Sequence, residues 1–218
     1  DKIKKYMKNL ENYIPDVVDK IEDYLEEQNL LKNDELTLKG QIAANINESN
    51  CLIFSELIVS GSLNDLSSFE IAKFLSCFAE IKIPDSDRCH NYTIHSNSYK
   101  VSSCINSFNK NLENIHIYED RNYVRLVDYT PIQYDLLYYM HVWYHEEEKK
   151  HCLEIIKEAN MNGISLGEWI KAILKVTKMS KEICKAAVLS EQYELALKLK
   201  EIPGKILKRV CINQSLYH

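Results

Sequence analysis

Three sets of side chains have the types and spacing for chemistry. In HVWYHEEEKKH, His141 and His145 are four residues apart, which puts both imidazoles on one helical face; Glu148 and His151 follow closely enough to complete a metal shell. Cys89-His90, with His95 nearby, sets a thiol beside bases that would activate it as a nucleophile. Lys171, Lys175, Lys178 and Lys185 are separated by steps of four, three and seven, so they share one side of a helix and form a row able to follow a phosphate backbone.

Each set has a plainer reading. No cysteine pair or second spaced histidine supports the metal shell, so that stretch reads as a solvated helix end in which Glu147 and His151 pair four residues apart. Cys89 lies in a polar loop with nothing to lower its pKa or orient an imidazole, so a stand-alone metal or thiol enzyme ranks last. The lysine row reads as a solvated face interrupted by Glu182. Other chemistries lack their motifs: the chain has no G-x-x-x-x-G-K-[ST] loop for nucleotide phosphates, and no G-x-G-x-x-G, H-E-x-x-H or G-x-S-x-G.

The elements that must position these residues are helical. The 218 residues are 45% hydrophobic with only five Gly and four Pro, which disfavours a turn-rich β-sandwich. Residues 1–30 read as helix, with Pro15 suited to a first turn. Thr37 is an N-cap, and CLIFSELIVSG is a helix closed by Gly61. Ser67 and Glu70 form a capping box, as do Ser165 and Glu168. The first box opens a helix with Ile71, Phe74, Leu75 and Phe78 on one face, and the second opens the longest pattern, with Leu166, Trp169, Ile170, Ile173, Leu174 and Ile183 apolar. Residues 81–91 read as loop, and residues 93–117 as a poorly specified helix. In PIQYDLLYYMHVW, Tyr134, Leu137, Met140 and Tyr144 face a core, and two short helices follow at 190–200 and 203–216, with Pro203 opening the last. No strand alternation stands out. The expected fold is all-α, a multi-helix bundle of about eight or nine helices.

Apolar runs of only a few residues predict no membrane span and no signal peptide. Seven cysteines, an odd number without a C-x-x-C, read as buried reduced thiols of an intracellular, reducing compartment, cytoplasmic or nuclear. The net charge of −5 is unevenly spread: from residue 165 onward ten Lys and Arg face five Glu, whereas the first 164 residues carry 17 basic against 27 acidic groups. Polyanion contact is therefore expected near the C-terminal end.

Several short motifs carry a resemblance. Leu36, Lys39, Gly40, Ala43 and Ile46 are followed by Glu56-Leu57-Ile58, Gly61, Asn64-Asp65-Leu66 and Leu75-Ser76-Cys77-Phe78, and further on by Trp143 and by Gly167, Ile170 and Lys171. In order and spacing these resemble the DSHCT domain, the C-terminal region of superkiller-type and exosome-associated DExH-box RNA helicases. The likeness runs from about residue 30 to the closing QSLYH, which is similar to a family ending SLYL and is expected to be a natural C-terminus; it is loosest over 81–125. WYHEEEKKH replaces the family's W-x-x-G, and Lys171 stands where the family has arginine. Lysine keeps the charge but not the bidentate fork, which favours phosphate over base contact.

The resemblance implies a helical lead-in over 1–33 and a DSHCT-like bundle over 34–218. It implies a domain that packs on the RecA-like motor domains of the same polypeptide and guides single-stranded RNA with Gly167, Lys171, Lys175 and Lys178. ATP and magnesium would belong to those motor domains and no cofactor to this chain, which is not expected to be catalytic alone. An RNA-degrading complex is a further implied partner, and a membrane is not. The alternative is a protein-docking module without direct RNA contact.

Overall fold

Caps and apolar stripes alternate along the chain, and the computed structural model, which describes residues 2–90, 98–128 and 132–211, forms nine α-helices among them. These are α1 (Lys2–Glu27), α2 (Leu38–Ala44), α3 (Cys51–Val59), α4 (Ser68–Ser76), α5 (Tyr99–Asn122), α6 (Leu136–His145), α7 (Lys149–Met161), α8 (Leu166–Leu189) and α9 (Tyr193–Ile206). The protein is an all-α bundle. No described helix is long and apolar enough to cross a membrane. His95 and the closing QSLYH lie outside the described residues.

Two helices make the centre. Residues 71–79, along α4 and just past it, are buried without a break, because α4 touches α5, α6, α8 and α9 and has no free side. Helix α8 touches α2, α3, α4, α7 and α9. Phe54, Phe74, Phe78 and Phe108 pack between α3, α4 and α5 with ring centroids 4.6 to 5.9 Å apart. Trp143 and Trp169 meet edge-to-face at 5.1 Å, and the Trp143 indole N–H donates to the Ile206 carbonyl at 2.9 Å, which joins α6, α8 and α9. The hydroxyls that enter this core are satisfied locally: Thr177 donates to the Ile173 carbonyl at 2.8 Å and Ser180 to that of Thr177 at 2.9 Å.

Local chemistry explains the junctions. The Thr37 hydroxyl accepts from Gly40 N–H and donates to the Asn29 carbonyl at 2.6 Å. Lys39 Nζ donates to the Gln28 carbonyl at 2.9 Å, beyond the end of α1, and pairs with Glu56 of α3 at 2.6 Å. Gly40 lies so close beneath the returning chain that a Cβ there would stand 2.1 Å from the Leu30 carbonyl oxygen. Gly61, at φ +71°, ends α3: its N–H donates to Ile58 and that of Ser62 to Leu57, the two bonds of a Schellman motif. The Ser67–Glu70 capping box forms in full.

Four expectations are corrected. Pro15 is not in a first turn; α1 runs through it from Lys2 to Glu27, although proline has no N–H for the preceding turn. Pro203 does not open a helix either. Leu195, Leu199, Ile202 and Ile206 form one buried stripe, and packing carries α9 through the proline without a break. A small ribbon is present: Leu31–Lys32 (β1) pairs antiparallel with Glu35–Leu36 (β2), joined by Asn33 and Asp34 at φ 51° and 63°, the angles of a type I′ turn. Leu166 is not a core residue but is 43% exposed.

Candidate nucleic-acid interface

Helix α8 presents two faces because its sequence does. Trp169, Ile170, Ile173, Val176, Met179 and Ile183 are buried against the bundle, while Lys171, Lys178 and Lys185 stay exposed. At its start the Ser165 hydroxyl accepts the Glu168 N–H at 3.3 Å. The second half of the expected capping box is not made, because the Glu168 carboxylate turns outward to accept Lys82 N–H at 2.8 Å and to pair with Lys171 at 3.7 Å. Gly167 lies exposed in this first turn, and a Cβ there would meet nothing nearer than Ser165 Oγ at 3.9 Å.

The lysines differ in how far they are committed. The Lys171 side chain is 52% exposed, and its Nζ donates to the Glu80 carbonyl at 3.4 Å. Lys175 is 23% exposed and donates to Glu48 Oε2 at 2.9 Å. Lys178 is 66% exposed and stands 3.4 Å from Glu48 Oε1. Glu182, whose carboxylate seemed from sequence to interrupt the row, points to the α2–α3 loop and accepts the N–H groups of Asn47 and Glu48, both at 2.9 Å. The Lys175 ammonium holds the Glu48 carboxyl below the usual glutamate range, with Lys178 adding to the effect. Sequence reading missed Glu48 and the loop's seat on α8, since 127 residues separate Glu48 from Lys175 and no local pattern links them.

Asn47, Glu48, Ser49, Glu80, Asp128 and Lys175 rim a cleft of about 330 Å³ beside this row, with Phe78 and Phe108 among its walls. An apolar wall with polar groups at the mouth is the usual composition of a small binding cleft.

The histidine set is not assembled among the described residues, and His95 of the thiol set lies outside them. His141 and His145 both lie against Phe69, at 5.1 and 4.5 Å between ring centroids, whereas His151 on α7 stands 3.3 Å from Glu146 and 3.6 Å from Glu148. The expected Glu147–His151 pair is replaced by these two contacts, and Glu147 faces Lys205 at 3.9 Å. Burial, Lys73 and His145 together pull the His141 pKa down. Among the described residues no group of three or more His, Cys, Asp or Glu is placed to hold a metal ion. The Cys89 N–H donates to Asp135 at 2.6 Å, a structural contact to a carboxylate that also pairs with Arg88 at 3.6 Å.

Comparison with protein families gives a match to the model of the DSHCT (NUC185) domain over residues 33–213. Comparison with curated proteins finds no match.

Proposed function

Because the chain belongs to the DSHCT family, a domain of DExH-box helicases, we propose that it is the helical bundle that guides single-stranded RNA leaving such a motor. On this reading the bundle also packs on the RecA-like motor domains of the same polypeptide. The observation that carries the proposal is the lysine face of α8, with Lys171 and Lys178 held outward by a helix whose other side is fixed in the core. Lys171, Lys175 and Lys178 contact phosphates, and Gly167 lets a strand approach the first turn of α8 closely. Such contact is sequence-independent and weakens with salt. ATP and magnesium belong to the motor domains on this reading; this chain has no P-loop of its own. The work is intracellular RNA processing or degradation, in a reducing compartment that suits seven free thiols.

A second reading has its own support. Lys175 and Lys178 are paired within the chain, and the first 164 residues are acidic, which suits a module that docks on protein rather than on RNA. Fluorescence anisotropy of labelled single-stranded RNA across a salt series separates the two. RNA guiding predicts an affinity that falls with salt, and a log–log slope that a Lys171→Glu/Lys175→Glu variant makes shallower by about 1.4, or roughly 0.7 for each phosphate. Affinity indifferent to salt and to the variant would leave the docking module.

A further inference from the structure

Glu48 faces two of the three lysines of the proposed RNA face. Its two oxygens are used separately, Oε2 toward Lys175 at 2.9 Å and Oε1 toward Lys178 at 3.4 Å. One carboxylate between two ammonium groups repeats what the two non-bridging oxygens of a phosphodiester would do there. The loop does not depend on this contact for its position, because Glu182 already holds the backbone N–H groups of Asn47 and Glu48. The Glu48 side chain is 27% exposed, so it can rotate away while the loop stays seated.

We propose that the Glu48 carboxylate is an internal competitor for RNA phosphate, occupying Lys175 and Lys178 until a strand displaces it. This rests on the RNA-guiding reading. It gives the pair a definite ligand class, a phosphodiester, and gives the chain a threshold. A strand must offer enough phosphates to outcompete a tethered carboxylate, so isolated or short anions are disfavoured relative to a continuous backbone. Lys171 is held instead by longer contacts, to Glu168 at 3.7 Å and to the Glu80 carbonyl at 3.4 Å, and at 52% exposure it meets a strand first.

The test is anisotropy of a labelled single-stranded oligouridine with the whole chain, across a salt series. Glu48→Gln keeps the side chain's shape and removes its charge. Asp128→Asn removes the same charge from a fully exposed carboxylate at the same cleft, paired with Arg125 at 3.7 Å rather than with the lysine row. Displacement predicts that Glu48→Gln binds about two- to tenfold more tightly, the worth of one or two surface ion pairs. Asp128→Asn should gain less, and the Glu48→Gln gain should vanish in a Lys175→Ala/Lys178→Ala background. The salt slope should not change, since the same phosphates are bound at the end.

Three results would overturn the proposal while leaving RNA guiding in place: unchanged affinity in Glu48→Gln, equal gains from Glu48→Gln and Asp128→Asn, or a gain that survives loss of both lysines. A slope steeper by about 1.4 would do so too, because it would mean that the wild-type lysines never reach phosphate. Absence of RNA binding by every variant would remove both the guiding reading and the competitor. Thermal unfolding of each variant checks that the bundle is intact.

Discussion

Two helix starts in this protein look alike in sequence and differ in what holds them. Thr37-Leu38-Lys39-Gly40 opens α2, and Ser165-Leu166-Gly167-Glu168, with Lys171 one turn on, opens α8. Both begin on a hydroxyl cap that accepts an N–H three residues later. At α2 the glycine is demanded by the fold, with a carbonyl oxygen 2.1 Å from where a Cβ would be, and the lysine is 11% exposed and doubly bound. At α8 the glycine has open space around it and the lysine is 52% exposed. The same two residue types therefore serve the chain's own packing at one end. At the other the glycine is free of packing and the lysine keeps only longer contacts, to Glu168 at 3.7 Å and to the Glu80 carbonyl at 3.4 Å, from an exposed position.

The widest separation between these starts comes from the glycines. Gly40→Ala forces the Leu30 backbone away, and urea unfolding is expected to show a loss of about 3–5 kcal/mol, in the range that marks a specific steric conflict. A variant as stable as the parent would break the comparison. Lys39→Met removes the ion pair with Glu56 and the bond to Gln28, and the same measurement should show a loss of about 1–2 kcal/mol. Gly167→Ala is expected to go the other way. Alanine favours a helix over glycine by up to about 1 kcal/mol, so unfolding should shift slightly upward, while RNA affinity falls if the strand comes close there. A large destabilisation would show that Gly167, like Gly40, serves packing.

The smallest effect concerns protons. Lys175 keeps the Glu48 carboxyl below the ordinary glutamate value of 4.5. A lowered folded pKa means that the pair's contribution is fully present above that ordinary value and is lost as pH falls through the lowered one. Carbon-detected NMR titration of the Glu48 carboxyl should give a midpoint below 4.5 in the parent and a higher one in Lys175→Ala/Lys178→Ala. Equal midpoints would mean that the lysines do not hold the carboxylate in solution.

What could be read from sequence follows the range of the interactions involved. Thr37, Gly61 and the Ser67–Glu70 box were legible because cap and partner are three to five residues apart. The apolar face of α8 was legible by its period, but Leu166, at the edge of the bundle, was not, since burial there depends on what the neighbouring helices cover. Prolines misled twice: local propensity marked Pro15 and Pro203 as helix starts, and both lie inside helices. The ribbon around Asn33-Asp34 was not legible, because strands of two residues are too short for alternation. Glu168 had the right spacing for a box and spends its carboxylate on Lys82, 86 residues away in sequence. At the candidate interface the lysine spacing was visible and their partner was not.

The bond from Trp143 to Ile206 has a consequence in time. It spans 63 residues, and Lys208 and Arg209 reach back to the Glu146 and Glu147 carbonyls over 62. At a synthesis rate of roughly 5–20 residues per second, the α6 end waits about 3–12 s for its partners to be made. During that interval the Trp143 indole has no Ile206 carbonyl to bond, and α8 has no α9 beside it. Limited proteolysis of ribosome-bound chains, extended past residue 218 by a linker long enough to fill the exit tunnel, should show α6 becoming resistant only after Ile206 has emerged. The last helix would then act as a latch that determines when the bundle can finish folding.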